Sequence, residues 1–122
     1  RNRLIVITII VIGCAIWLWS APPRVWLNAV KRVEPTAAVG EQLVAKYGCR
    51  NCHKIGGEGA LKAPNLAGVT SRARDPDLDE LRRWLAAPQS IDRDTAMPNF
   101  RLSDSEVEAL VAYLQLLDGA SP

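Results

Sequence analysis

The sequence contains few residues that bind metals. Its 122 residues include one histidine, one methionine and three cysteines. A closed structural zinc site takes four cysteine or histidine ligands, usually from two separated pairs. Cys14 lies in a long apolar run, which leaves only Cys49, Cys52 and His53 close together in the chain. The sequence therefore argues against a zinc-stabilised module.

Acidic residues are absent from the start of the chain, and this changes the meaning of its net charge of +2. Residues 1–33 carry five Lys or Arg and no Asp or Glu, whereas residues 34–122 carry ten basic and thirteen acidic residues. A nucleic-acid-binding domain needs clustered basic residues on its folded part. The chain is therefore not expected to bind nucleic acid, and its basic start fits the cytoplasmic end of a membrane segment.

An uncharged apolar run extends over Leu4–Trp19. As a helix it covers roughly 24 Å, and tryptophans at the interface with flanking residues extend the span toward the ~30 Å hydrocarbon core. A cleaved signal peptide and a lipoprotein processing site at Cys14 are the alternatives. We expect an uncleaved, single-pass transmembrane anchor over residues 1–21 in the cytoplasmic (inner) membrane, with the rest of the chain on the periplasmic side.

Residues 22–37 are predicted to form a juxtamembrane linker. Two adjacent prolines end the first helix, because proline cannot donate a backbone hydrogen bond. In the next stretch Val25, Trp26 and Val30 recur at helical spacing, opposite polar and basic residues. Such an amphipathic segment lies on the membrane surface, packs on a partner subunit or serves as an ordinary helical linker. The pattern leaves these three interpretations open.

Residues 38–122 are predicted to form an all-α domain, because they contain no alternating strand pattern and no repeat. Asp75 is expected to cap the second helix, with the following proline in its first turn, and Ser103–Glu106 has the pattern of a capping box for the third. Three short helices with long loops make a thin core, so an additional group is expected to fill it. The helices are predicted over about 38–47, 76–86 and 104–118.

The stretch GCRNCH brings Cys49, Cys52 and His53 onto one turn. A C-x-x-C pair also occurs as a redox dithiol or a structural disulfide, but a thioredoxin-like dithiol needs neighbouring strands, for which there is no pattern. The adjacent histidine favours covalent attachment of haem c. In that arrangement the two sulfurs form thioethers to the porphyrin vinyl groups, and the imidazole binds the iron.

The single methionine, Met97, is the candidate for the sixth ligand of the iron. A lone methionine more often fills a core. Met97, however, lies 44 residues after His53, far enough for the chain to wrap a porphyrin, and Pro98 keeps its backbone extended. A thioether opposite a histidine favours Fe(II) and so raises the reduction potential. The loop Lys62–Gly68 is expected to offer a backbone carbonyl to the other ring nitrogen of His53.

The stretch from about Gly40 to Leu117 resembles a class I (mitochondrial-type) cytochrome c domain. The segments GCRNCH, APNL, WLAAP and MPNF and the final helix carry the resemblance. It implies a class I cytochrome c fold, with three main helices and loops around one covalent haem c, over residues 38–122. His53 and Met97 would then be the iron ligands.

The resemblance also assigns roles to single residues. It implies that Pro64 supplies the carbonyl that faces His53. It implies that Trp84 approaches the haem periphery, although an ordinary core tryptophan fits the same pattern. It further implies that Gly40 and Tyr113 meet where the first and last helices of the domain cross.

The chain is also similar to the small, membrane-anchored cytochrome c subunit of nitric oxide reductases and to cytochrome subunits or carriers of other respiratory and photosynthetic complexes. These resemblances imply single-electron transfer without enzymatic activity or a small-molecule substrate. The implied partners are a membrane-embedded redox complex and a protein electron donor, with Arg50, Lys54 and Lys62 as a candidate docking face. The alternatives are a haem sensor or peroxidase-like enzyme with a displaceable Met97, and a structural subunit in which haem only supports the fold.

Overall fold

The computed structural model describes residues 1–120, whose regular structure is helical. Short 3₁₀ turns follow α3 and α4, at Cys49–Asn51 and Pro88–Ser90. In the described part of the chain β-type pairing is limited to one isolated bridge between Ile55 and Glu58, so the predicted all-α class is confirmed. The helices are α1 (Asn2–Ser20), α2 (Arg24–Val30), α3 (Ala37–Lys46), α4 (Asp79–Ala86) and α5 (Asp104–Ala120).

The first helix, α1, is long and apolar enough to cross a membrane. Its 19 residues extend about 28 Å at ~1.5 Å per residue. An 18-residue window has a mean hydropathy of 2.2, and none of that window is buried against the rest of the protein. A helix that is apolar on all sides and packs on nothing suits a lipid environment, so α1 fits the predicted membrane anchor.

The core is centred on the crossing of α3 and α5. Gly40 of α3 is buried there, and a Cβ atom on it would lie 2.7 Å from Tyr113 Cβ and press on the carbonyl of Ala109. Only glycine allows the two backbones to approach this closely, so the contact expected between Gly40 and Tyr113 is present. The crossing is surrounded by buried apolar side chains: Leu43, Val44, Val107, Leu110, Val111 and Leu114.

The last helix begins with the predicted capping box. Ser103 Oγ accepts a hydrogen bond from the Glu106 N–H at 3.2 Å, and the Glu106 carboxylate accepts one from the Ser103 N–H at 3.0 Å. Glu106 is 1% exposed, and it also accepts a hydrogen bond from the Tyr47 hydroxyl at 2.7 Å and pairs with Lys31 at 3.2 Å. Burial by itself raises the pKa of Glu106, but the bonds from Ser103, Tyr47 and Lys31 outweigh it and hold the pKa below its ordinary value.

The fourth helix starts later than the sequence predicts, at Asp79. As expected, Asp75 caps it, because its carboxylate accepts hydrogen bonds from the N–H groups of Asp79 (2.7 Å) and Glu80 (3.2 Å). Leu78, however, has a φ of 59°, so helical geometry begins only after it and the proline that follows Asp75 lies outside the first turn. This backbone conformation places the Leu78 side chain in the core, where it is 4% exposed.

The linker between the anchor and α3 is bonded to the start of α5. Leu27 of α2 is buried, with 6% exposure. Ser103 Oγ donates a hydrogen bond to the Lys31 carbonyl at 2.7 Å, and the Val33 N–H donates to Ser105 Oγ at 3.1 Å. The segment after the anchor is therefore held against the domain from Leu27 to Val33.

Candidate haem-binding site

The cysteine–histidine motif forms one tight turn directly after α3. Gly48 ends the helix in the left-handed region, with a φ of 66°, and the 3₁₀ turn Cys49–Asn51 follows. The His53 N–H donates to the Cys49 carbonyl at 3.0 Å, which closes the turn. Neither Cys49 nor Cys52 is in a disulfide. Burial raises the pKa of the Cys49 thiol above its ordinary value.

The imidazole of His53 is oriented by a backbone carbonyl. Its Nδ1 lies 2.7 Å from the carbonyl oxygen of Pro64. A carbonyl only accepts, so this contact requires the proton on Nδ1 and leaves the lone pair on Nε2. A histidine fixed in this tautomer is ready to bind a metal through Nε2, and the carbonyl strengthens it as a ligand.

The loop that carries Pro64 is paired with the motif itself. The Ala60 N–H donates to the Arg50 carbonyl at 2.9 Å, and the Ala63 N–H donates to the Cys52 carbonyl at 3.0 Å. Gly59, with a φ of 109°, permits this close return, because a Cβ atom on it would lie 2.9 Å from the Arg50 carbonyl oxygen. The carbonyl that holds His53 is thus anchored to the same turn as the cysteines.

Met97 lies in the loop between α4 and α5 and is held there from two sides. The indole N–H of Trp84 donates to Met97 Sδ at 3.1 Å, and the Gln89 amide donates to the Met97 carbonyl at 2.7 Å. A thioether sulfur has two lone pairs, so it can accept the indole N–H and still bind a metal. The sequence predicts Trp84 near the haem periphery, but it gives no signal for its contact with Met97 or for the role of Gln89.

The six predicted site residues therefore form two groups. Cys49, Cys52, His53 and Pro64 make up one group, and Trp84 and Met97 make up the other. In residues 1–120 no three His, Cys, Asp or Glu side chains are arranged to hold a bare metal ion. This donor set fits an iron whose remaining ligands are the four nitrogens of a porphyrin.

The low burial along residues 56–101 also fits a large apolar group. From Gly56 to Arg101, only Leu78 and Pro88 are fully buried in the protein. A porphyrin offers the broad apolar surface that would cover the side chains there, as the thin core predicts. Five large apolar side chains of this segment pack on the core cluster but are only partly buried: Leu66, Val69, Leu81, Leu85 and Phe100.

Arg50 is less suited to the candidate docking face than the sequence indicates. Its guanidinium donates to the Tyr113 hydroxyl at 3.0 Å and to the Ile55 carbonyl at 3.3 Å. It also lies 3.8 Å from the Glu58 carboxylate. Because these groups already engage its charge, Arg50 stabilises the motif loop against α5, and Lys54 and Lys62 remain the candidates for docking.

A small helical domain with a C-x-x-C-H turn and a loop that presents methionine has the features of haem-binding electron-transfer domains. Comparison with known families agrees with this class: residues 37–118 match the family Cytochrome c. The chain belongs to the cytochrome c family, whose members carry covalently attached haem c. The N-terminal helix that precedes this domain is long and apolar enough to cross a membrane, which fits a membrane anchor.

Relatives of the chain include subunits of nitric oxide reductases and of cytochrome c oxidases. The chain is 34% identical over 89 residues to the C subunit of nitric oxide reductase from Paracoccus denitrificans, which covers 68% of this chain and 59% of that protein. It is 34% identical over 86 residues to the corresponding protein of Cereibacter sphaeroides, covering 66% and 58%. It is 31% identical over 113 residues to cytochrome c oxidase subunit 2 of Bacillus subtilis, covering 79% and 32%. The chain thus spans less than two thirds of each of these relatives.

Proposed function

We propose that the chain is a membrane-anchored monohaem cytochrome c that carries single electrons as a subunit or tethered carrier of a respiratory or photosynthetic complex. Its parts are an anchor over residues 1–21, a juxtamembrane linker over 22–37 and the haem domain over 38–122. The observation that carries the proposal is the His53 imidazole, fixed by the Pro64 carbonyl at 2.7 Å beside two free cysteines.

Each site residue has a distinct part in this function. Cys49 and Cys52 would hold the porphyrin by thioether bonds, and His53 would bind the iron through Nε2. Met97 would be the second axial ligand, and Trp84 orients its sulfur. When bound, the haem supplies the one-electron Fe(III)/Fe(II) couple, and the protein supplies a fixed ligand set and an apolar surround.

This ligand set supports an electron carrier rather than an enzyme. With His53 and Met97 both bound, the iron would have no free position for a substrate. Met97 is held by Trp84 and Gln89, which opposes its displacement and speaks against a sensor or peroxidase-like role. A thioether ligand also favours the reduced iron, which suits an acceptor of electrons from a protein donor.

The proposed location is the periplasmic side of the cytoplasmic membrane. Arg1 and Arg3 directly precede the apolar helix, and Arg24, Lys31 and Arg32 follow it, so the basic residues alone do not set its orientation. The periplasmic side is proposed because covalent haem c is attached on that side in the family that the chain resembles. The haem domain would then meet a membrane-embedded redox partner and a protein electron donor there. The anchor replaces free diffusion by a high local concentration beside that partner.

A narrower candidate is the small subunit of a nitric oxide reductase. The 34% identity to two such reductase proteins favours it, and the 31% identity to an oxidase subunit 2 favours an oxidase complex to a similar degree. Purification of the full chain in mild detergent, with identification of the proteins that accompany it, distinguishes the two. Recovery of neither complex, with the chain alone in every fraction, would support a tethered carrier.

The test of the proposed function is the covalent attachment of one haem. The full chain, produced with a haem c attachment system, should retain haem after denaturation, with a mass increase of one haem. Cys49→Ala with Cys52→Ala should abolish that increase, whereas Cys14→Ala should leave it unchanged. A mass increase that survives the double substitution would reject the proposed attachment site.

A further inference from the structure

The short helix α2 has an orientation that is unusual for a protein surface. Its polar residues face the haem domain: Arg24 Nε donates to the Asp104 carboxylate at 3.1 Å, and Asn28 Oδ1 accepts from the Asp104 N–H at 2.8 Å. Just after the helix, Lys31 Nζ donates to the Arg101 carbonyl at 2.8 Å. The bonds from Arg24 and Asn28 lower the pKa of Asp104, so this side stays charged at neutral pH.

The apolar residues of α2 lie on the opposite side and face away from the protein. Val25 is 83% exposed, Trp26 49% and Val30 55%. A surface helix of a soluble protein turns its apolar stripe inward and its polar residues outward. Here the arrangement is reversed, with Leu27 alone buried against the domain. Three large apolar side chains on one short helix therefore need a cover other than water.

The position of α2 indicates what provides this cover. Only Ala21–Pro23 separates it from the end of α1, and three residues span at most about 10 Å. Arg101 donates hydrogen bonds to the Ser20 carbonyl and, at 3.0 Å, to the Trp19 carbonyl. The haem domain is therefore bonded to the last turn of α1. α2 therefore lies where α1 leaves the bilayer, at the depth that tryptophan prefers.

We propose that α2 is an interfacial helix whose apolar side, formed by Val25, Trp26 and Val30, enters the boundary between lipid headgroups and acyl chains. Its other side is bonded to α5, so α2 connects the bilayer surface rigidly to the haem domain. The domain is then held in one orientation on the membrane instead of swinging on a flexible tether. This inference rests on the membrane anchoring in the proposed function.

Lipid is a better occupant than a partner protein because the apolar side of α2 continues a surface that already faces lipid. The adjoining helix α1 has no buried residue, and its last turn carries Trp17 and Trp19, both exposed. Interfacial helices with aromatic and aliphatic residues on one side bury them roughly 5–10 Å into the headgroup region. Trp26 extends the same aromatic belt beyond the end of α1.

Nitroxide labelling of the haem-loaded full chain in lipid nanodiscs tests this inference. In a Cys14→Ala background, with Cys49 and Cys52 occupied by haem, single cysteines are introduced as Val25→Cys and Val30→Cys. Both positions are exposed, so the label does not disturb packing. The matched controls are I9C in α1 as the lipid reference and E41C on α3 as the water reference; both sites are exposed.

The readout is the accessibility of each label to dissolved oxygen, which concentrates in lipid, and to a water-soluble nickel chelate. We expect labels at positions 25 and 30 to lose nickel collisions and gain oxygen collisions relative to position 41, approaching position 9. Values equal to those at position 41 would overturn the inference. So would shielding that appears only in the native complex, because a partner protein would then be the cover.

A second measurement reads the consequence for the haem domain. V25D with V30D should detach α2 from lipid and broaden the distribution of haem orientations in aligned bilayers, whereas E41D should not. An unchanged, narrow distribution in the double variant would contradict the proposal that α2 fixes the orientation of the haem domain. The haem spectrum of the parent chain separates this result from the proposed function. A normal spectrum with labels in water rejects only the inference, whereas failure of the parent chain to bind haem rejects the proposed function.

Discussion

The hydrogen bond from Trp84 to the methionine sulfur gives a quantitative prediction for the reduction potential. The indole N–H lies 3.1 Å from Met97 Sδ and draws electron density from the sulfur. With Met97 as the proposed iron ligand, this would weaken donation to Fe(III) more than to Fe(II), so the bond would favour the reduced state. Trp84→Phe keeps an aromatic ring but removes the donor, and we expect it to lower the potential while Met97 remains a ligand.

The size of this effect follows from the strength of one hydrogen bond. A typical bond contributes about 0.5–1.5 kcal/mol net, and a factor of ten, about 1.4 kcal/mol, corresponds to about 59 mV for one electron. Only the difference in bond strength between the two oxidation states changes the potential, so this figure is an upper limit. We therefore expect a fall of about 20 mV, and at most about 60 mV, because a thioether is a weak acceptor.

Redox titration of the haem absorption in nanodiscs measures this shift. Trp19→Phe is the matched control, because Trp19 is 85% exposed at the end of α1 and makes no contact with Met97 that the structure records. Its potential should equal that of the parent protein. An equal potential in both variants, or a rise in Trp84→Phe, would refute the assignment of Trp84 as the residue that tunes the methionine ligand.

Three further predictions concern folding and attachment. Gly40→Ala should destabilise the domain by about 1–3 kcal/mol in urea unfolding, because α3 and α5 must separate to admit the methyl group. Gly119→Ala is the control and should cost nothing, because nothing lies within 4 Å of a Cβ atom there. Equal effects of the two substitutions would contradict the close crossing. Glu106→Gln should cost about 1.5–3 kcal/mol at pH 7. The folded pKa of Glu106 lies below its ordinary value. The stabilisation by its carboxylate is therefore complete above about pH 4.3 and disappears as pH falls through the folded pKa. The thermal midpoint of the parent protein should then fall more steeply in acid than that of Glu106→Gln, and parallel curves would contradict this. Cys52→Ala should leave at most one thioether, read from the pyridine haemochrome α-band, which moves to longer wavelength when one vinyl group stays unsaturated; an unshifted band would exclude Cys52.

The parts of the fold that the sequence predicts well are those set by neighbouring residues. The capping box at Ser103 and Glu106 and the length of α3 depend on local hydrogen bonds and periodicity, and both agree with the structure. The predicted start of α4 is wrong because Leu78 adopts a positive φ to reach the core, which is a tertiary effect that overrides local preference. The site residues stand out by the unusual spacing of rare side chains, which is also local information.

Contacts between distant segments leave no such local signal. The bonds from Arg24 and Asn28 to Asp104 join residues 76 to 80 positions apart, and no periodic pattern reports them. For the same reason the periodicity identifies the amphipathic linker but not which of its sides faces the domain. The bond between Trp84 and Met97 likewise depends on how the loop after α4 folds back.

The ligand set of the iron is the central claim, and near-infrared magnetic circular dichroism of the oxidised protein tests it most directly, because the energy of the porphyrin-to-iron transition identifies the axial pair. We expect the signature of a histidine–methionine pair in the full chain. We expect that signature to be lost in Met97→Ala, with the haem still covalently bound. A water-ligated signature in the parent protein, or an unchanged spectrum in Met97→Ala, would exclude Met97 as the iron ligand.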